Sequence, residues 1–138
     1  MIAQNILAAA HAKLFASSAL TAIVGTNIAY ARGPVSNTWP QVHYFEVANS
    51  EGYQVDFNTI TIQLSAWSLD KFQALAMKEV LYGIFSRFKG LTSVTGGTVD
   101  ITWTELVDSG ALPETDPQLF GQYLRFLFRY RGANIGGY

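Results

Sequence analysis

Residues 57–85, FNTITIQLSAWSLDKFQALAMKEVLYGIF, change their apolar period partway along. Ile60, Ile62, Leu64 and Ala66 alternate with Thr59, Thr61, Gln63, Ser65 and Trp67. That two-residue repeat is the pattern of a strand with one face on a core and a more polar face toward water or a neighbouring subunit. From Leu69 the apolar side chains return every three or four positions, which is the repeat of a helix. Only Ser68 stands between the two patterns, so a long strand must turn directly into a helix over residues 69–87, about five turns. Ser68 is the expected N-cap, and Asp70 suits the positive end of the helix dipole. Phe72, Leu75, Ala76, Val80, Ile84 and Phe88 make the expected core stripe, widened by Leu81 and Phe85.

The rest of the chain supplies strands to join this one. Residues 3–16 read as a helix with Ile6, Leu7, Ala10 and Leu14 on one stripe. Ser17 and Ser18 break it, and residues 20–24 make a short second turn between Ser18 as N-cap and Gly25 as stop. Short or alternating patterns predict strands at 27–34, 41–49, 54–67, 98–106 and 119–132. In the fourth, Val99, Ile101 and Trp103 share a side; in the last, Leu124, Phe126, Phe128 and Tyr130 oppose Tyr123, Arg125, Leu127, Arg129 and Arg131. Residues 89–97 read as a turn-rich connection and 107–118 as a polar loop with two prolines. The order α-β-β-β-α-β-β predicts an α+β fold: a mostly antiparallel sheet of about five strands packed on two main helices. Residues 1–131 form one domain, and the glycine-rich residues 132–138 are a short flexible tail.

Composition narrows the function more by exclusion than by motif. With no cysteine, disulfides, thiolate zinc sites and thiol nucleophiles are impossible. A net charge of −1 gives no global attraction to nucleic acid or membrane. The N-terminal apolar run has no basic residue before it and is interrupted by His11 and Lys13, unlike a secretory signal. No window has the length of apolar sequence that a membrane helix needs. His11 and His43 have no carboxylate cluster near them in sequence, and Gly96-Gly97 lacks the lysine of a phosphate loop. No serine stands in a nucleophile elbow. No enzyme activity, cofactor or metal is expected. Charged residues are only 14% of the chain and aromatics another 14%, a balance that suits a surface largely covered by partners.

The charges that exist are segregated. Asp100, Glu105, Asp108, Glu114 and Asp116 lie between Gly90 and Leu124 with no basic residue among them, and Arg125, Arg129 and Arg131 follow on one strand face. Either the two strands pair and neutralise each other, or the acidic loop of one subunit meets the basic stripe of the next, or the stripe lines a channel that DNA crosses. Glu114 and Asp116, two apart in the loop, are the residues placed to hold a divalent ion, though solvated loop charges fit them better. Trp39 beside Pro40 is the best interface aromatic.

The succession of these pieces has a counterpart. An N-terminal helix leads to LTAIVGTNIAY, a loop with Pro34 and Pro40, the strand VHYFEV, the strand-into-helix IQLSAWSLDKFQALAMKEVLYGIF, and a terminal aromatic strand LRFLFRY. This resembles the tail-completion or tail-terminator family of long-tailed bacteriophages, over about residues 3–131. The resemblance implies a non-enzymatic virion protein, assembled in the bacterial host cytoplasm and sited in the tail or neck. It implies a homo-oligomeric ring, a hexamer, that caps the tail tube protein, ends its polymerisation and meets the head-tail connector or adaptor protein, with non-specific contact to passing DNA and none to membrane. A head-completion or connector-adaptor protein of the same neck is the alternative reading. A small hydrolase or ligand-binding domain is the rival from another class. The residues expected at subunit interfaces or the channel are Arg125, Arg129, Arg131, Asp108, Glu114, Asp116 and Trp39.

Overall fold

The alternation in residues 59–67 builds the strand at the centre of the molecule. A computed structural model describes residues 2–32, 38–50, 58–88, 90–94, 97–112 and 119–131. Its elements are α1 (Ile2–Ala16), α2 (Ser18–Val24), β1 (Ile28–Tyr30), β2 (Gln41–Ser50), β3 (Asn58–Ser68), α3 (Lys71–Phe85), β4 (Gly90–Val94), β5 (Gly97–Leu112) and β6 (Phe120–Arg131). The strands form one six-stranded sheet in the order β1-β2-β3-β6-β5-β4. Only the β1–β2 pair is parallel; the others are antiparallel. The α+β class and the mostly antiparallel sheet agree with the sequence pattern.

Two parts of the pattern are corrected. Residues 90–94, read as connection, are the edge strand β4, so the element order is α-α-β-β-β-α-β-β-β. Residues 107–112, read as loop, continue β5, because β6 is long enough to pair with them as far as Leu112↔Gly121. Their sequence lacks an apolar alternation, and a long partner imposes the strand where local preference does not.

Ile60, Ile62, Leu64 and Ala66 are buried beneath the helices, as their period requires. Across the ladder they meet Phe128, Phe126, Leu124 and Gln122 in register. Phe85 and Phe88 close on this row from α3, with ring centroids 6.1 Å from Phe126 and 5.5 Å from Phe128 respectively. Each ring buried in that cluster contributes about 1.5–3 kcal/mol of hydrophobic stabilisation. On the other side of the helical layer, α1 buries Ile6, Ala9, Ala10 and Leu14 and touches β1, β2 and β4.

The junction of β3 and α3 is one residue longer and differently capped than the sequence suggests. Asp70, not Ser68, is the N-cap: its Oδ1 accepts from the Phe72 amide at 3.0 Å. Ser68 stays in the strand, where its Oγ accepts from the Asp70 amide at 3.0 Å and donates to Gln73 Oε1 at 2.6 Å. Likewise Ser17 rather than Ser18 caps α2, accepting from the Leu20 amide at 3.2 Å. With two residues in the link, β3 dictates how α3 is rotated. The buried face is Ala74, Met77, Leu81 and Phe85. The expected stripe is therefore corrected: Phe72 is 78% exposed and Leu75 and Ala76 also face out, while Val80 and Ile84 flank the core and Phe88 is buried. Both arcs have helical spacing, and the fixed exit from β3 selects between them.

Gly121 sits where Trp67 crosses β6. A Cβ there would lie 2.8 Å from the indole and 3.0 Å from Leu112 Cβ. Gly110, by contrast, would bring a Cβ to 3.2 Å from the partly exposed Tyr123 ring, which has room to swing. Urea unfolding should show Gly121→Ala losing about 1–3 kcal/mol, as overpacked sites do, and Gly110→Ala clearly less.

Candidate interaction surfaces

The helices cover one face of the sheet, and the other face carries the residues singled out by charge. Pairing across the strands arranges that face in rows. One row is Asp108, Arg125, Gln63 and Phe45; the next toward one end is Gly110, Tyr123, Ser65 and His43; toward the other end, Glu105, Leu127 and Thr61 precede Trp103, Arg129 and Thr59.

The central row is a hydrogen-bonded chain. Arg125 Nη1 donates to Asp108 Oδ2 at 3.2 Å and its Nε donates to Gln63 Oε1 at 3.0 Å. Gln63 Nε2 then donates to Ser65 Oγ at 3.1 Å. The Tyr123 hydroxyl adds a long bond of 3.4 Å to Asp108 Oδ2, and the Arg125 guanidinium lies 5.1 Å from the Tyr123 ring centroid. Of the two charges, Arg125 is thus neutralised by Asp108 within one subunit across the β5–β6 hairpin. Arg129 is exposed farther along the same face, its carbonyl accepting from Thr102 Oγ1 at 3.1 Å. Arg131 pairs in backbone register with Asp100. Asp108 lies in strand β5 rather than in the loop to which the sequence assigns it, and Glu114 and Asp116 fall outside the described residues.

Trp103 departs from the sequence reading. Ile101 is buried beneath the helices, but the register shifts between Ile101 and Trp103, and the extra residue turns Trp103 to the opposite face, 52% exposed. A bulge breaks the two-residue count without leaving a mark in the apolar pattern. A second shift near Val107 leaves that side chain exposed as well, with Leu106 beside it.

The end of the open face near Trp39 is closed. Trp39 is half-buried and precedes a cis peptide to Pro40. Gln41 Nε2 donates to the Thr38 carbonyl at 2.8 Å, so its Oε1 is the atom that receives the Nε2–H of His43, also at 2.8 Å. His43 Nδ1 is buried with no hydrogen-bond partner among the described residues. Burial pushes the His43 pKa down to about 4.

Two grooves flank the helical layer. One, about 400 Å³, is lined by Leu7, Ala8, Tyr30, Tyr44 and Glu46 at the β1 edge. In it Tyr30 donates to Glu46 Oε2 at 2.5 Å, and His11 Nδ1 is hydrogen-bonded to the Tyr44 hydroxyl at 2.6 Å. The bond to Glu46 raises the Tyr30 pKa and burial raises that of Tyr44, so both phenols stay protonated and serve neither as base nor as nucleophile. The other, about 230 Å³, lies between α3 and β5 and is lined by Lys78, Glu79, Tyr82, Leu106, Ser109 and Leu124. Among the described residues no group of three or more histidine, cysteine or carboxylate side chains is placed to hold a metal ion. No single helix among them is long and apolar enough to cross a membrane.

The distinctive surface is apolar. Leu69, Phe72, Leu75 and Tyr82 are exposed along the outer side of α3 and its approach, and Trp103, Leu106 and Val107 along β5. The same fold occurs in a chain of the virion of a native gene transfer agent (GTA) particle, with a TM-score of 0.77 and 18% identity over 95% of this chain and 98% of that one. No curated protein matches the chain. The chain belongs to the family of the tail completion protein gp17, whose sequence model matches residues 8–131. Its role is accordingly structural, in the completion of a bacteriophage tail.

Two measurements test the surface chemistry. The Asp108–Arg125 pair is about 40% exposed at each side chain, so a double-mutant cycle should return a coupling below about 1 kcal/mol. His43 resists a proton that the unfolded chain accepts near pH 6.5. Its contribution to stability is therefore complete above about pH 6.5 and falls as the pH drops toward 4, by at most about 3 kcal/mol. Unfolding free energies measured from pH 7 to pH 4 should show that slope, and His43→Gln should flatten it.

Proposed function

We propose that this protein is the terminator of the tail. Copies of the chain close into a ring, a hexamer, on the end of the tail tube. The ring stops tube polymerisation, and its free side receives the head connector or adaptor protein. The single observation that carries the reading beyond the family is the exposed apolar surface on α3 and β5. Large apolar side chains exposed on the outer side of α3 and along β5 suit burial by neighbours, and a ring with a tube beneath it and a connector above covers several faces at once. Only 14% of the residues are charged, which suits a surface destined for such burial.

On this reading the helix-free face of the sheet turns to the channel, and Arg129 with Arg131 guides the phosphate backbone of passing DNA without reading its sequence. Arg125 is held by Asp108 and Gln63. Trp39, Asp108, Glu114 and Asp116 then belong to the rims where copies and neighbours meet. The protein acts by fit and performs no catalysis, and assembly takes place in the host cytoplasm.

Tail length separates this function from that of an adaptor. Without a terminator, tails grow overlong; without an adaptor, tails of normal length stay unattached to heads. Phe72→Asp changes a side chain in solvent and should leave the thermal midpoint of the free protein within about 2 °C, a surface-sized effect. In particles it should reproduce the overlong tails of the deletion, seen by negative-stain imaging. Normal infectious particles from Phe72→Asp would remove α3 from the assembly surface, and normal-length detached tails from the deletion would reassign the protein as an adaptor.

A further inference from the structure

The two ends of the sheet differ in a way that makes them complementary. β4 pairs only with residues 97–101 of β5, from Gly90↔Ile101 to Val94↔Gly97. Beyond that point β5 has β6 on one side and, among the described residues, no strand on the other. Thr104 is occupied by the end of the α3 segment, its Oγ1 donating to the Phe88 carbonyl at 2.6 Å. Residues 105–112 are thus an open strand edge. Free edges of this length are ordinarily shielded by charge, proline or a covering element, because their backbone groups template another strand. Here the edge carries exposed Leu106 and Val107 beside the exposed acid Glu105. At the opposite end of the sheet, β1 is an edge of three residues, Ile28–Tyr30, whose only strand partner among the described residues is β2.

We infer that residues 105–112 of one copy receive the β1 edge of a second copy, so that the sheet continues from subunit to subunit. The inference rests on the ring proposed above and specifies its joint. Three observations select a second copy as the occupant. First, a strand added to the β5 edge sends alternate side chains to each face. On the helix-bearing face the β5 edge offers the groove of Tyr82, Leu106 and Leu124, and the β1 edge offers the groove of Leu7, Tyr30 and Tyr44. Joined edge to edge, these two openings lie side by side, and the exposed rings of Tyr82 and Tyr30 and the side chain of Leu106 cover one another. Second, the charges on the helix-free face match. Asp108 is already paired with Arg125 and Asp100 lies in the stretch covered by β4, which leaves the exposed acid Glu105 at the start of the open edge. At the β1 edge, the exposed Arg32 lies over the Phe45 ring on that same face, 4.8 Å from its centroid. Third, the two edges are different surfaces of one chain, so the joint is heterologous, and a constant rotation at each joint closes a ring.

The absence of cysteine gives a direct test. Within one subunit, β2, β3 and β6 separate β1 from β5, about 19 Å at ordinary strand spacing, too far for a disulfide. Chains carrying one cysteine at Tyr30 or Arg32 and one at Val107 or Ser109 can therefore cross-link only between copies. Purified particles from the four double variants, oxidised and run without reductant, should give a ladder ending at the ring multimer for at least one pair, and each single variant should remain monomeric. A charge exchange supplies a second readout. Glu105→Arg should lower incorporation into particles at least about tenfold, since like charges then face each other at every joint. Adding Arg32→Glu to the same chain should restore it, because each joint combines the two edges. If the protein is present at the tail end but none of the four pairs cross-links and Arg32→Glu fails to rescue, the joint lies elsewhere and the terminator reading stands. If the protein is absent from tails, both fall.

Discussion

The antiparallel ladder between β3 and β6 holds the molecule together. It runs without a shift from Asn58↔Tyr130 to Ser68↔Phe120. The two strands are far apart in sequence, so closing the ladder costs loop entropy that only a well-matched interface offsets. The match is on the helix side: Ile60 with Phe128, Ile62 with Phe126, Leu64 with Leu124, all buried on the face where α3 packs on both strands. A slip of one residue would bring Gln63 and Arg125 into that layer, a cost of several kcal/mol for an unpaired buried charge. The register that fills the core therefore also sets the polar row on the other face, where Arg125 finds both Gln63 and Asp108.

Most of the sheet is legible in the sequence because period-two alternation survives wherever one face is buried. β3 and β6 are the clearest cases: the predicted inward residues of both are buried, although Gln63, Ser65 and Trp67 on the other side of β3 are buried as well. Legibility fails where tertiary partners decide. The β5 bulges at Thr102 and Val107 reverse the sides of Trp103 and its neighbours, and no residue type announces them. In α3 the chain has two apolar arcs, and the phase fixed by the link to β3 buries Ala74, Met77, Leu81 and Phe85 while leaving Phe72 outside. Both arcs have helical spacing, so periodicity alone does not say which of them the core takes.

The candidate surfaces divide in the same manner. The opposition of an acidic segment to a basic strand is visible in the sequence, and the structure resolves one of its readings by joining Asp108 to Arg125 across a hairpin. The participation of Gln63, Ser65 and Tyr123 is invisible until register is known, because only the cross-strand alignment brings them to one row. The grooves at the two sheet edges depend on where α1 and α3 lie, which no local pattern encodes. Family membership places the chain among tail completion proteins, and its surface carries exposed apolar side chains and few charges over the sheet.

The two-residue passage from β3 into α3 has a mechanical meaning. Ser68, Asp70 and Gln73 lock that elbow with short hydrogen bonds, and the aromatic rings of Phe85 and Phe88 anchor the far end of the helix to β6. The helix and its strand consequently behave as one stiff lever with no slack at the fulcrum. A load applied to α3 at Phe72 is therefore passed straight into β3, whose side chains reach both faces of the sheet.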